Sequence, residues 1–344
     1  MTHEARGTAP SRENHHGPDH PHDHPHDHGH GFAGALRELF VPHSHDPADS
    51  IDGPLESNAA GIRAVKVSLV ALAATAVAQL VVVYFSGSVA LFADTVHNFA
   101  DALTAIPLWI AFALGARPAT RRYTYGFGRA EDLAGLFVIA MIAVSAVVAA
   151  VESVRRLTNP VSIHQVGWIA AAGIVGFVGN ELVAVYRIRV GRRIGSAALV
   201  ADGLHARTDG FTSLAVLLGA GGVALGYPLA DPIIGLIITA AILAVLRTAA
   251  RDVFRRLMDG VEPEFLEKAE KALDAEPGVI AVRSVRMRWI GHRLHAEAEL
   301  DIAMNTSLAE AHRIAHEAEH TLTHAVPKLA SALVHAYPAS ARHA

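Results

Sequence analysis

Two short stretches of this sequence carry the same pattern of carboxylate, imidazole and carboxylate. Both read A-D-x-x-H-x-x-x-D, and they are Ala93–Asp101 and Ala201–Asp209. On a helix, positions i, i+3 and i+7 share one face, so each copy predicts a polar stripe along a helix. The inner pairs of the two copies are His97 with Asp101 and His205 with Asp209. Two imidazoles and two carboxylates suit a tetrahedral divalent ion of the Zn²⁺ type.

The outer aspartates of the two copies, Asp94 and Asp202, lie toward the other end of each stripe. We interpret them as supporting groups that hydrogen-bond the histidines or line an access path, and not as ligands. Hydrogen bonding between helices would explain one or two such polar groups, but it does not explain the same spacing twice. Ligands bind a metal only when they are deprotonated, so the pattern also predicts exchange of metal for protons.

Composition places this site in a membrane. The chain of 344 residues is 51% hydrophobic and 18% charged, with a mean hydropathy of +0.30. A formal net charge of −4 gives no reason to expect a nucleic-acid partner. There are no cysteines, so disulfides and thiolate ligands are excluded, and a metal must bind His, Asp, Glu or backbone oxygen.

Six apolar segments are each long enough to cross a bilayer as a helix, at about 20 residues per crossing. They cover approximately residues 62–85, 88–114, 131–152, 166–188, 197–224 and 229–248. Arginines gather after the second, fourth and sixth segments, whereas Arg155 and Arg156 are the exceptions on the other side. The positive-inside rule therefore predicts that both termini lie in the cytoplasm.

Arg207 lies between His205 and Asp209 in sequence but about 200° around the helix from His205. It cannot share the ligand face, and a guanidinium at that depth needs a counter-charge. Glu181 and Asp132 are the anions that we expect to provide it.

Three regions follow from this organisation: a tail at 1–60, a six-helix transport domain at 61–257 and a cytoplasmic domain at 258–344. The tail is rich in His, Asp, Pro and Gly, and we expect it to be disordered and to bind metal weakly, although a solvated tail or a tag would look similar. The last region predicts the order αββαβ, with helices at Glu264–Asp274 and Ser307–His324 and strands at Val279–Trp289, Arg293–Ile302 and Ser331–Ala336.

From about residue 60 to 340 the sequence resembles the cation diffusion facilitator family of divalent-metal transporters. The resemblance is carried by the two H-x-x-x-D pairs, the stretch Tyr125–Glu131, the six spans and the αββαβ region. It implies an all-α six-helix transmembrane bundle with a C-terminal α+β ferredoxin-like domain. It also implies a homodimeric secondary transporter of the cell membrane, not an enzyme, that exports metal from the cytoplasm in exchange for protons. His97, Asp101, His205 and Asp209 match the family's transport site, and the His/Asp pairs favour Zn²⁺, with Co²⁺ and Cd²⁺ as further substrates.

The same resemblance implies that the cytoplasmic domain dimerises and binds regulatory metal. His312 and His335 match positions that bind metal in some members, while Arg283 and Tyr337 stand where those members have His and Asp. Arg129 and Asp259 match a basic and an acidic residue that are proposed to interlock.

Three other functions fit parts of the pattern. A non-transporting metal sensor could use the same ligands. A bis-His haem protein would explain His97 and His205, but it leaves Asp101 and Asp209 without a role. A metal-dependent membrane hydrolase would need an open coordination position, which four protein ligands do not leave.

Overall fold

Six helices precede the cytoplasmic domain in the part of the chain that the structure describes. The computed structural model describes residues 53–86, 105–158, 166–227 and 229–339. The helices are α1 (Gly53–Ser86), α2 (Ala105–Gly115), α3 (Arg129–Thr158), α4 (Val166–Ile194), α5 (Ala197–Ala224) and α6 (Ala230–Leu257). By length and composition, α1, α3, α4 and α6 could each cross a membrane, and α2 is a shorter apolar helix. The predicted helical membrane domain is thereby confirmed.

The outer faces of these helices are apolar. Val70, Leu182 and Ile237 are 70%, 67% and 61% exposed, which is unfavourable in water and favourable against lipid. Polar side chains are turned inward instead: Gln79, Asn180 and Ser213 on three of the helices are buried. This inversion of the soluble pattern is what a helical bundle surrounded by hydrocarbon requires.

Small residues bring α4 and α5 close together, and we call this contact the α4–α5 seam. A Cβ atom added at Gly203 would lie 2.8 Å from Ile188 Cγ1, and one added at Gly176 would lie 2.7 Å from Ser213 Oγ. The two helices are joined by Gly195 and Ser196, and Gly195 has a φ of +82°. Ser196 accepts a hydrogen bond from Leu199 N at 3.0 Å, which caps α5 and fixes where it begins.

The cytoplasmic domain has the predicted αββαβ order. It consists of α7 (Pro263–Asp274), β1 (Val279–Ile290), β2 (Arg293–Ile302), α8 (Leu308–Ala325) and β3 (Leu329–Pro338). The sheet order is β1-β2-β3, with β1 antiparallel and β3 parallel to β2. β3 is longer than the predicted strand because it pairs with β2 from Leu329 to Pro338.

The core of this domain lies between the sheet and its two helices. Its fully buried members include Leu273 of α7, Trp289 of β1, Leu300 of β2 and Leu322 of α8. Ser307 caps α8 by accepting a hydrogen bond from Glu310 N at 3.2 Å, as the sequence predicts. The predicted C-terminal α+β domain is thereby confirmed.

Candidate metal centre and its surroundings

The second copy of the repeated motif lies on α5, in the middle of the bundle. His205 is 1% exposed and Asp209 is 7% exposed. His205 Nδ1 and Asp209 Oδ1 are 3.7 Å apart, which is too long for a hydrogen bond. Two ligand atoms bound at about 2.0–2.1 Å to one tetrahedral ion lie about 3.3 Å apart, so a small rotation would let this pair share an ion. The first copy, with Asp94, His97 and Asp101, lies outside the described residues.

Neighbouring threonines hold the backbone of this stretch. Thr208 Oγ1 donates to His205 O, and Thr212 Oγ1 donates to Asp209 O, both at 2.7 Å. Because these hydroxyls donate to carbonyl groups of their own helix, they do not donate to the side chains of His205 and Asp209.

Asp202, the outer aspartate of the second copy, contacts an arginine of α4. Its Oδ2 is 2.9 Å from Arg187 Nη1, and both side chains are at most 2% exposed. The sequence suggests that Asp202 supports His205, and the structure places its carboxylate against Arg187. In the sequence, Arg187 stands near the end of the fourth predicted span, close to the arginines that indicate orientation. Its position within the predicted span 166–188 is the signal that could have identified it as a buried partner.

Arg207 pairs with Glu181 of α4, which confirms one of the two expected partners. Arg207 Nη2 and Nε donate to the two carboxylate oxygens of Glu181 at 2.7 and 3.1 Å. Both side chains are about 30% exposed. This two-point ion pair lies on the side of α5 away from His205, so it neutralises the guanidinium without approaching the metal pair.

A cavity of about 280 Å³ reaches Asp209 from the α3–α6 side of α5. Besides Asp209, its charged lining residues are Glu152, Arg156 and Asp231. Arg156 lies 2.9 Å from both of these carboxylates. Asp209 therefore faces a cavity whose lining is mostly apolar, and whose charged residues carry a net excess of negative charge, which favours cations over anions.

Charged residues also join the bundle to the cytoplasmic domain. Arg129, at the start of α3, lies 2.7 Å from Asp259, which follows α6. The structure therefore brings together the two residues that the resemblance pairs. Asp259 has a φ of +56°, a left-handed conformation that aspartate tolerates better than most residues.

A second contact at this junction was not predicted. His292 Nδ1 lies 2.7 Å from Glu131 Oε2, and the residues are 6% and 4% exposed. His292 stands in the turn between β1 and β2, after Gly291, whose φ is +62°. A Cβ atom added at Gly291 would lie 2.8 Å from Gly128 O, so glycine is needed for the turn to approach α3 this closely. The stretch Tyr125–Glu131 is part of the resemblance to the family, but no spacing in the sequence indicates that Glu131 contacts His292.

The two histidines that the resemblance implies for a regulatory metal have other neighbours. The His312 ring stacks on His316, and the His335 ring packs edge-on against Tyr337 at 4.4 Å. Arg283 lies over the Tyr337 ring at 4.5 Å and donates to Asp301 at 2.6 Å. Within the described ranges, no three His, Asp or Glu side chains converge to hold a metal ion.

The comparisons with known proteins agree with this architecture. Two family models match: the cation efflux transmembrane domain over residues 65–258, and the cytoplasmic domain of cation efflux proteins over residues 261–339. A probable cation efflux system protein of Mycobacterium tuberculosis is 72% identical over 309 residues, which cover 90% of this chain and 93% of that protein.

The matches to more distant relatives also span most of the length of each relative. The cation-efflux pump FieF of Serratia proteamaculans is 28% identical over 277 residues, 78% of this chain and 92% of that protein. The manganese efflux system protein MneS of Bacillus subtilis is 25% identical over 262 residues, 74% of this chain and 87% of that protein. Because the family models match the helical bundle and the cytoplasmic domain alike, the chain belongs to the cation diffusion facilitator family of cation efflux transporters and is not an enzyme.

Proposed function

We propose that this transporter exports Zn²⁺ from the cytoplasm across the cell membrane in exchange for protons. The ion binds His97, Asp101, His205 and Asp209 as a tetrahedral set, with Asp94 and Asp202 in supporting roles. The observation that carries the proposal is the buried His205/Asp209 pair, set 3.7 Å apart on a helix of a cation efflux bundle. Two carboxylates neutralise a dication, so the loaded site would carry no net charge in a medium that disfavours charge.

Ligand chemistry favours zinc over manganese. Imidazole suits Zn²⁺ and Co²⁺, whereas sites for Mn²⁺ are dominated by oxygen ligands. One relative is named as a manganese efflux protein, so transport of Zn²⁺ and of Mn²⁺ should be compared directly. Co²⁺ and Cd²⁺ are further substrates by the same argument.

Proton exchange follows from the same ligands. When the ion leaves, the carboxylates and imidazoles of the site can take up protons, and they must lose them before the next ion binds. The cavity that reaches Asp209 gives water and protons a route to one member of the set.

We further propose that the chain acts as a homodimer, with residues 61–257 forming the transport domain and residues 258–344 the dimerising and regulatory domain. The match of residues 261–339 to the cytoplasmic domain of cation efflux proteins supports this assignment. Both termini then lie in the cytoplasm, as the distribution of arginines favours. Light scattering of the purified protein would report one chain per particle if the dimer were wrong.

Transport into proteoliposomes tests the site. We expect Zn²⁺ uptake by the wild type to rise with an imposed pH gradient and to fall to the level of empty liposomes in Asp209→Ala. Asp252→Asn is the matched control, because Asp252 is a half-exposed carboxylate of α6 that contacts only Arg255 at 3.4 Å among the contacts described. Equal uptake by wild type and Asp209→Ala would overturn the site, and uptake indifferent to the gradient would overturn proton exchange. A wild type that binds Zn²⁺ without moving it would favour the sensor.

A further inference from the structure

Helix α8 carries four exposed histidines, spaced four residues apart, that form two different pairs. The rings of His312 and His316 stack nearly parallel, with centroids 6.4 Å apart. The rings of His320 and His324 are only 4.5 Å apart and inclined by 63°. Their Nε2 atoms approach to 3.2 Å. The same sequence spacing has therefore produced one stacked pair and one pair whose ring nitrogens converge.

This separation of nitrogens matches the geometry of a chelate. Two imidazole nitrogens bound to one Zn²⁺ at about 2.0–2.1 Å, with tetrahedral angles, lie about 3.3 Å apart. The separation of the two Nε2 atoms thus already suits a chelate, and an ion would replace the hydrogen bond that joins the two rings. Because both residues stand on the same helix, much of the ordering that an ion would otherwise have to impose is already present.

The surroundings favour a cation. His324 lies in the last turn of α8, where unpaired carbonyl groups give the helix a partial negative charge. Lys328, the nearest lysine in sequence, turns its ammonium group away and donates to Arg192 O at 3.1 Å. His320 and His324 are both exposed, so an ion can reach them directly from solvent.

We propose that His320 and His324 chelate a divalent ion of the Zn²⁺, Ni²⁺ or Cu²⁺ type at the surface of the cytoplasmic domain. Imidazole prefers these ions to Mg²⁺ or Mn²⁺. Two protein ligands leave the other coordination positions open to water or to a small ligand, so the ion exchanges readily. The site is separate from His312 and His335, and its existence does not depend on which metal the bundle transports.

Chemical modification of the purified full-length protein in detergent tests the site residue by residue. Diethylpyrocarbonate modifies unprotonated imidazole nitrogen, and mass spectrometry reports the modified fraction at each histidine. At free Zn²⁺ about tenfold above the dissociation constant, we expect modification of His320 and His324 to slow by about tenfold. Mg²⁺ at the same concentration should leave both unchanged. Because each histidine is read separately, ions bound elsewhere in the chain do not enter the result.

Two single variants complete the test. In His320→Ala, His324 should lose its protection by Zn²⁺, and alanine favours the helix, so unfolding of α8 would not be the cause. In His316→Ala, the matched control on the same face, protection of His324 should persist. Equal modification of His324 with and without Zn²⁺, or protection that survives His320→Ala, would overturn the proposal.

Discussion

Two buried contacts between an imidazole and a carboxylate in this protein differ in length and in the elements that they join. His205 and Asp209 belong to one helix and are held 3.7 Å apart, whereas His292 and Glu131 belong to different domains and are 2.7 Å apart. The longer separation leaves room for an ion between the ligands, and the shorter one is a hydrogen bond that closes the contact. If His205 and Asp209 bind the transported ion as proposed, the same chemical pair is a binding element in one place and a structural contact in the other, depending on the distance that the backbone imposes.

The largest effect is expected when the carboxylates of Asp209 and Glu131 are neutralised one at a time. Asp209→Asn should abolish Zn²⁺ transport in proteoliposomes, because an amide neither balances the charge of the ion nor binds it as strongly as a carboxylate. Its melting temperature in detergent should change little, because asparagine has nearly the same size and shape as aspartate and can occupy the same position. Glu131→Gln should keep most of the Zn²⁺ transport but have a lower melting temperature than the wild type. Loss of transport in both variants at unchanged melting temperatures would contradict the division of roles.

The next largest effect concerns Arg187 and Asp202, which are buried and joined but carry no imidazole. Asp202→Asn leaves a buried guanidinium without a counter-charge, and we expect the free energy of unfolding to fall by about 3–5 kcal/mol. Denaturant titration in mixed micelles measures this loss. The double variant Arg187→Met with Asp202→Leu should recover most of it, since no buried charge remains. If Asp202→Asn is as stable as the wild type, the ion pair between Arg187 and Asp202 does not stabilise the fold.

The junction between the domains should show a smaller loss. Glu131→Gln and His292→Ala should each lower the free energy of unfolding by about 1–3 kcal/mol, because the first replaces a charged acceptor with a weaker neutral one and the second leaves the buried carboxylate without this partner. Together they should cost less than their sum, by about 0.5–3 kcal/mol. Asp259→Asn is the control at the same junction, since its ion pair with Arg129 is exposed and worth about 1 kcal/mol or less. Strict additivity of the two losses would argue against a direct contact.

The smallest effect concerns pH. Burial, together with the nearby Arg288 and Arg293, lowers the pKa of His295, whose Nδ1 lies 2.8 Å from Ser331 Oγ. The unfolded chain therefore takes up this proton at a higher pH than the folded chain does. Stability that is present above the ordinary histidine pKa is lost as pH falls toward the lowered one. In His295→Asn, the drop in melting temperature between neutral and mildly acidic pH should be smaller than in the wild type, and an unchanged drop would count against this account.

An interaction could be predicted from the sequence when its two partners lie close together along the chain. The approach of His205 to Asp209 and the cap at Ser307 are fixed by helix geometry within a few residues, so spacing alone predicts them. The contact between Glu131 and His292 joins residues 161 positions apart, and no periodicity carries that information. The partner of Asp202 was missed for a different reason. Arg187 stands near a loop in sequence, where arginine usually marks orientation, yet in space it is buried against α5.

The α4–α5 seam limits how an ion can be passed from one side of the membrane to the other. Where a single added carbon at Gly203 or Gly176 would collide with the opposite helix, the two helices cannot slide or tilt past each other without losing close packing. The buried pair of Arg187 and Asp202 fastens the same contact. If access to Asp209 alternates between the two sides of the membrane, we expect α4 and α5 to move together as one rigid unit. Among the described helices, α3 and α6 line the cavity beside Asp209, so α5 is packed less closely on that side than against α4.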